Sequence, residues 1–527
     1  MSREMGSHAT DSMQAKHASA GVAMSLATLS MAAASGLQAL LYLNSFGVDG
    51  RTDGFFVAFA LYTIVGVFSQ SIRMTSANLL IGERPRLLTA EYGVCLGLIA
   101  VPMLVLTIPF ADQFAHLLAP GLDAADRAVT ADALPLLGLA AALQLWAAGG
   151  ATLLAVRDRF NAIAGAYIFG AALGLVVYLA VAPLAEELTL GWSMLAMAAG
   201  TLGVMLIGLR GARPGASAAR PSFAPARLIS MSGLILARTA IYLVFNALYM
   251  VTLAFASGYA EGDATVLSYA YLFASYLVAG TAFALGLSRI ADMRRGALGE
   301  WREMLSDTVP SGFRYSMLIA APALAALIVA GAPLIGELLP HSFDPADVET
   351  LRVFAALLAP WVVAALLVNL LLPALLALGR GRLVNALAPP LLALHIGVTA
   401  LGGALYGSDG VVGAAFIAPA AFAAVLFFAG AREGRWALAR TLASDGGRLA
   451  AFAVAGFGGA ALIAGLVAEG LAEALLAGAL GSALYVGCVL VTTPRLVSVL
   501  LGAIRKAPLV DQATETAPAA SSSISAR

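Results

Sequence analysis

The chain predicts an all-α polytopic membrane protein, and three observations carry that reading. About fourteen apolar stretches of roughly 20 residues follow one another from end to end. Composition agrees: of 527 residues 61% are hydrophobic and 11% charged, and the mean hydropathy is +0.89, as suits a chain whose solvent is lipid. The basic residues fall almost entirely in alternate gaps between the stretches, an arrangement that the net charge of +0 conceals.

Residues 1–20 are polar, with no short apolar core ahead of a small-residue cleavage site, and read as a cytoplasmic tail. Helices are then expected at about 21–46, 54–81, 91–110, 131–156, 162–182 and 188–209, an N-terminal lobe over 21–209. A basic, proline-containing linker follows at 210–227. The second set, at about 228–257, 264–290, 313–336, 350–378, 384–406 and 411–430, makes a C-terminal lobe over 228–431. A helix pair at about 449–468 and 472–494 lies within 432–506, and the Ala-, Ser- and Thr-rich tail 507–527 is expected to be disordered. Cys95 and Cys488 sit in separate apolar stretches, where a small hydrophobic role suits them better than a disulfide or metal framework.

Loop charge sets the orientation. Arg84 and Arg86, Arg157 and Arg159, Arg210 to Arg227, Arg289 to Arg314, Arg380 and Arg382, and Arg432 to Arg448 fall in gaps that would be cytoplasmic. The intervening gaps carry acids, among them Asp112, Asp123, Glu186, Glu187, Glu261, Asp344 and Asp409, and only Arg51 and Arg127 clearly break the alternation. Both termini are therefore expected to be cytoplasmic.

A weak internal repeat relates the two sets of six. The fourth helix of each ends in a similar phrase, Leu153-Leu154-Ala155 before Arg157-Asp158-Arg159 and Leu375-Leu376-Ala377 before Arg380-Gly381-Arg382. The second helix of each opens near an acid, Asp53 or Asp263, and then shows Phe59-Ala60 or Tyr269-Ala270. With an even number of helices per set, the lobes would be parallel and related by a pseudo-two-fold axis along the membrane normal.

The stretch Phe46-Gly47 and Thr52-Asp53-Gly54-Phe55-Phe56-Val57-Ala58-Phe59 resembles the first outer turn and second helix of the MurJ (MviN) lipid II flippases. Those belong to the multidrug/oligosaccharidyl-lipid/polysaccharide (MOP) exporter superfamily. Arg157 to Phe160, Tyr269-Ala270 and the run from Ser311 to Arg432 extend the resemblance over most of the chain. It implies a two-lobed, V-shaped transporter that moves a lipid-linked sugar to the outer leaflet by alternating access, in cell-wall or polysaccharide biogenesis. The chain departs from that family where its cavity arginines stand, with Ala32, Gln38 and Ala39, then Gly66 and Val67, then Tyr271 and Leu272 at the matching positions. Three explanations stay open: a different substrate, an anion held by other residues, or a relative that has lost transport.

Arg73 and Arg238 remain inside membrane segments, roughly 12 to 15 Å from the cytoplasmic ends of their helices at about 1.5 Å per residue. They are candidate phosphate contacts; the competing reading is that each snorkels to the inner interface. Gln38, Asn44, Gln70, Asn246 and Tyr269 complete the candidate substrate site, with Thr63, Ser71, Asn78, Tyr242, Tyr249 and Tyr276 also on the first, second, seventh and eighth helices. Each can instead serve as interhelical glue. His395 is read as bonded to a backbone carbonyl, with a proton relay as the alternative. Pro102, Pro360, Pro373, Pro389, Pro390 and Pro419 are expected to kink helices.

The function expected is a flippase for a polyprenyl-pyrophosphate sugar of the lipid II type. A cation-coupled multidrug exporter is the runner-up, disfavoured because acids cluster at interfaces and Asp53 reads as the cap of its own helix. A membrane glycosyltransferase would need a larger outer segment, and a transport-dead scaffold accounts for the missing arginines. No catalytic residue, metal site or cofactor is expected, nor a nucleic-acid partner; the partners are the lipid-linked substrate and membrane lipid. The setting is the bacterial inner membrane, as a monomer.

Overall fold

A computed structural model describes residues 34–80, 87–157, 159–210, 221–279, 281, 300–338, 343–377, 379–430 and 435–492. Among them there is helix and no strand, as a lipid solvent demands when each segment must satisfy its own backbone. The N-terminal group comprises α1 (34–46), α2 (Gly50–Leu80), α3 (Thr89–Thr107), α4 (Ala111–Leu118), α5 (Ala124–Val156), α6 (Phe160–Ala185) and α7 (Thr189–Arg210). Next come α8 (Pro225–Ala256), α9 (Asp263–Val278), α10 (Glu300–Ala326), α11 (Ala332–Leu338), α12 (Pro345–Leu357) and α13 (Ala359–Ala377). After these follow α14 (Gly381–Ala386), α15 (Ala388–Ala414), α16 (Ile417–Gly430), and a last pair, α17 (Arg435–Val467) and α18 (Gly470–Thr492).

Each expected segment falls on helix over most of its described length, and ten stretches are long and apolar enough to cross a membrane unaided. That is fewer than the fourteen expected. The described parts of α1, α9 and α16 are too short to qualify, and Phe160–Arg210 counts as one stretch although it holds both α6 and α7. A 3-10 turn at Glu186–Leu188 joins those two, with Glu186 at φ 45. Leu462, Leu466 and Val491 point outward, as lipid-facing side chains should.

Helix ends differ from the hydropathy estimates because polar residues continue the helix past the apolar run. α5 starts at Ala124, where Asp123 caps it by accepting from the Asp126 N–H, and α17 starts at Arg435 inside the stretch expected as a basic loop. α4 was expected as loop and is a short helix burying Ala115 and Leu118. The prolines divide: Pro102 and Pro373 lie inside α3 and α13, whereas Pro389 and Pro390 open α15, and Pro360 and Pro419 fall in the first turns of α13 and α16. First-turn N–H groups need no helical partner, so these four start helices, each just past a break, at Leu358, Leu387 or 415–416, that interrupts the segment expected as one helix. The break in α15 lies at Tyr406 and Gly407, and Gly407 at φ 63 folds Gly410 back against Gly402.

The main core runs through both groups, with Tyr42, Phe55, Phe56 and Phe354 fully buried. A second core joins Phe68, Ile72, Tyr92, Cys95, Leu96 and Leu145 of the N-terminal group to Leu228 and Ile235 of α8. α8 is thus shared: its first half packs on α2 and α3, and its second half, Phe245 to Ala256, on the C-terminal core. The last pair packs against α10, where Arg314 Nε donates to Asp445 Oδ2 at 2.9 Å.

Candidate functional site

Two seams join the helix groups, one at the acid-loop end and one at the basic-loop end. At the acid-loop end, Asp49 begins α2. It accepts the Thr52 N–H on Oδ1 at 2.7 Å, and its own N–H donates to Thr52 Oγ1 at 2.9 Å. The cap of α2 is therefore Asp49, and the expected assignment to Asp53 is corrected: Asp53 lies one turn inside the helix, on a face that meets α9.

There Asp53 caps the helix of the other group. Its Oδ1 accepts from Thr265 N at 2.6 Å and Thr265 Oγ1 at 2.7 Å, and its Oδ2 from Gly262 N at 2.8 Å. The carboxylate is fully buried at the start of α9, where unsatisfied amides and the helix dipole favour an anion. Gly50 N donates to Glu261 Oε1 at 3.1 Å beside it. Gly262 adopts φ +89, and a β-carbon there would stand 2.5 Å from Val48 Cγ1, so glycine is required on both counts. The loops before α5 and α9 touch backbone to backbone, and a β-carbon on Gly121 would lie 2.1 Å from Gly258 Cα. Tyr269 adds a further tie, its hydroxyl donating to Ala39 O at 2.7 Å while its ring meets Phe56 at 5.1 Å.

At the basic-loop end, Glu91 of α3 holds the start of α8. One oxygen accepts from Ser222 N at 2.6 Å, the other from Leu88 N at 3.0 Å and Arg227 Nη2 at 3.2 Å. Glu91 is 1% exposed, so these bonds compensate a buried carboxylate. Ser232 Oγ donates to Cys95 O at 3.2 Å just inside the seam.

The two arginines that break the charge alternation are bonded locally, Arg51 to acids and Arg127 to backbone carbonyls. Arg51 pairs with Glu187 at 2.9 Å and Glu186 at 3.7 Å. Arg127 Nε donates to Ala119 O at 3.1 Å, and its Nη2 bonds Leu122 O, stapling the loop between α4 and α5.

Of the expected substrate residues whose side chains are described, only Tyr269 lies in the seam. Gln38 is fully buried against Gly174 of α6, within its own group, and Asn44 is exposed. Asn246 is turned back on its own helix, donating to Tyr242 O at 2.7 Å, and Arg238 is half-buried on α8. Arg73, Gln70 and Asn78 belong to α2, and their side chains lie outside the described residues. Thr63 and Ser71 bond carbonyls four residues back in α2, Tyr242 is buried, Tyr249 donates to Ser268 at 2.8 Å and Tyr276 is exposed. His395 bonds the Leu248 carbonyl at 2.8 Å. Among the described residues no three His, Cys, Asp or Glu side chains gather to hold a metal.

Two helix groups seamed at both ends, with one helix shared between them, define a multi-pass all-α membrane fold. Solved structures share that fold. The chain is similar to the lipid II flippase MurJ in an inward closed conformation, with 15% identity and TM-score 0.69 over 90% of this chain and 99% of that one. It is similar to an inward-facing multidrug resistance MATE transporter of the MOP superfamily, with 17% identity and TM-score 0.57 over 79% and 99%. A third is a MOP superfamily transporter from Pyrococcus furiosus Vc1, with 16% identity and TM-score 0.54 over 80% and 96%. No protein-family model matches the chain, and no curated protein matches it by sequence.

Proposed function

We propose that this chain is an alternating-access flippase that carries a lipid-linked, polyprenyl-pyrophosphate substrate to the outer leaflet of the bacterial inner membrane. The observation that carries the reading is the Asp53 cap on α9, a polar closure between groups at one membrane face. Loop charge assigns that face to the outside, so this conformation is closed outward. Inward closure rests on Glu91 holding α8, and alternation requires the two seams to open in turn.

In this reading Arg73 and Arg238 meet the pyrophosphate, since a cation inside a membrane segment needs a cavity or a partner. Lipid tails remain in the bilayer while the head group crosses between the groups. The likeness in fold to MurJ supports this substrate class over the multidrug one, with TM-scores of 0.69 and 0.57 respectively.

The test is reconstitution in liposomes carrying a fluorescent polyprenyl-pyrophosphate saccharide. The chain is expected to expose inner-leaflet probe to an external quencher, and R73A/R238A to abolish this with the elution profile unchanged. Full activity in the double variant removes those arginines from the site. Inactivity toward this probe together with export of a cationic dye would favour the multidrug reading.

A further inference from the structure

Between α8 and α15 a small pocket is lined by Tyr249, Thr252, Tyr271, Trp361 and His395. His395 is 1% exposed. About 10 Å of helix at 1.5 Å per residue separates it from Gly402, alongside which the fold-back at Gly407 returns the acid loop, so it lies within the membrane segment, nearer that end. Its Nε2 lies 2.8 Å from Leu248 O and 3.0 Å from Thr252 Oγ1. A carbonyl only accepts, and the Thr252 hydroxyl is committed as donor to that same carbonyl at 3.0 Å. The proton of the neutral ring therefore sits on Nε2, and Nδ1 carries the lone pair. Nδ1 has no hydrogen-bond partner among the described residues, and neither has Thr399 Oγ1, one turn further along α15; both atoms are buried.

We propose that His395 Nδ1 is a proton-binding site that couples proton uptake to the movement of the two helix groups. This deepens the transporter reading and rests on it. Binding forms one N–H bond and breaks one O–H bond of the hydronium that delivers the proton, releasing water; the ring gains a positive charge, keeps its Nε2–H bond to α8, and turns Nδ1 from acceptor into donor, with Thr399 Oγ1 the unused acceptor on the same helix. A metal is the poorer occupant, since the lining offers one imidazole nitrogen and no carboxylate. Aromatic rings suit a cation here: Tyr249 and Tyr271 stack at 3.7 Å, and Tyr271 meets Trp361 at 4.9 Å.

Facing His395 from α8 and α9, the lining contributes two other titratable groups, the phenols of Tyr249 and Tyr271. From the α12–α13 junction, α13 and the α15–α16 junction it contributes Leu358, Trp361 and Ala415, none of them titratable. The coupling follows from α8. It supplies both Nε2 partners in its second half, while its first half is packed on the N-terminal group and held by Glu91. The positive charge strengthens the Nε2–H bond to Leu248 O, and that change at the α8–α15 contact is delivered by α8 to the seam between groups.

The test uses the full chain in lipid nanodiscs, with Cys95 and Cys488 replaced by Ala and spin labels at the exposed positions 184 and 406, titrated from about pH 8 to about pH 4. The ratio of two inter-group distances is expected to change at least tenfold across the titration. The carboxylate of Asp53 at the outer seam is titratable too, so the comparison is made in D53N: there H395Q, which keeps an amide donor for Leu248 but has no lone pair to titrate, should abolish the change, and T399V should move its midpoint. The same titration with and without H395Q, or no response without it, overturns the coupling. Failure of the transporter reading looks different: a single distance at every pH, with D53N included. Nitrogen-15 spectra of histidine-labelled protein then decide the site by itself. A ring that starts as the Nε2–H tautomer and gains a proton at Nδ1 supports it, and one that stays neutral throughout overturns it. Should H395Q aggregate, T399V and the wild-type spectra carry the same decision.

Discussion

Replacing Asp53 by Asn is the sharpest perturbation of the outer seam, because it keeps shape and removes one acceptor. If the Asn oxygen takes the Thr265 N–H and hydroxyl, the new amide NH2 faces the Gly262 N–H, donor against donor. A buried donor left without a partner costs about 1–3 kcal/mol, and the two surviving bonds lose their charge assistance. The closed seam should therefore weaken by about 2–3 kcal/mol, which is about 30- to 150-fold in the closed-to-open ratio at 1.4 kcal/mol per tenfold. Neither group's core is touched, so the protein should fold and elute as wild type. Spin labels at positions 184 and 406, on the acid-loop ends of α6 and α15, read the ratio directly. A longer-distance population should grow in D53N. A folded D53N with an unchanged distance distribution would refute the claim that this carboxylate holds the groups together.

Two further outcomes follow from the same geometry. G121V has no room for its side chain against Gly258, where even a β-carbon would lie 2.1 Å from the neighbouring Cα, so it should wedge the outer loops apart and shift the same distance in the same direction as D53N. Its effect should not add fully to that of D53N, since both act on one contact. E91Q removes the charge that accepts from Ser222 and Arg227, a loss of about 2 kcal/mol. Amides of residues 225–235 should then exchange about 10- to 30-fold faster by mass spectrometry, with those of 132–150 unchanged as the internal reference.

The helices were legible where a long apolar run alone decides the structure. α3, α5, α8 and α18 lie where hydropathy places them, because lipid leaves the backbone no alternative to helix. Their ends were not: the starts of α5 and α17 are polar helix beyond the apolar run, and first-turn prolines look like kinks until the helix start is known. The seams were harder still. Asp53 and its partners are 209 and 212 residues apart, and two of its three donors are backbone N–H groups, which carry no side-chain signature. Glu91 is hidden likewise, since it too bonds mainly amides. Polarity within a membrane helix marked Gln38 and Asn246 as candidates, yet one packs into its own group and the other bonds its own helix. A signal was available at the outer seam: Asp49 and Asp53 stand four residues apart at one helix start, and a single cap needs only one of them. For His395 the carbonyl bond was expected and is present, whereas the unused Nδ1 emerges only from the geometry of Thr252.

Transport of a lipid-linked pyrophosphate is the central claim, and complementation tests it most directly. The chain would be expressed in bacteria depleted of their own lipid II flippase, with survival scored beside the level of lipid II in the outer leaflet. Restored growth together with a restored outer-leaflet level is the predicted result. A stably inserted chain that leaves both unchanged would contradict a lipid II-like substrate.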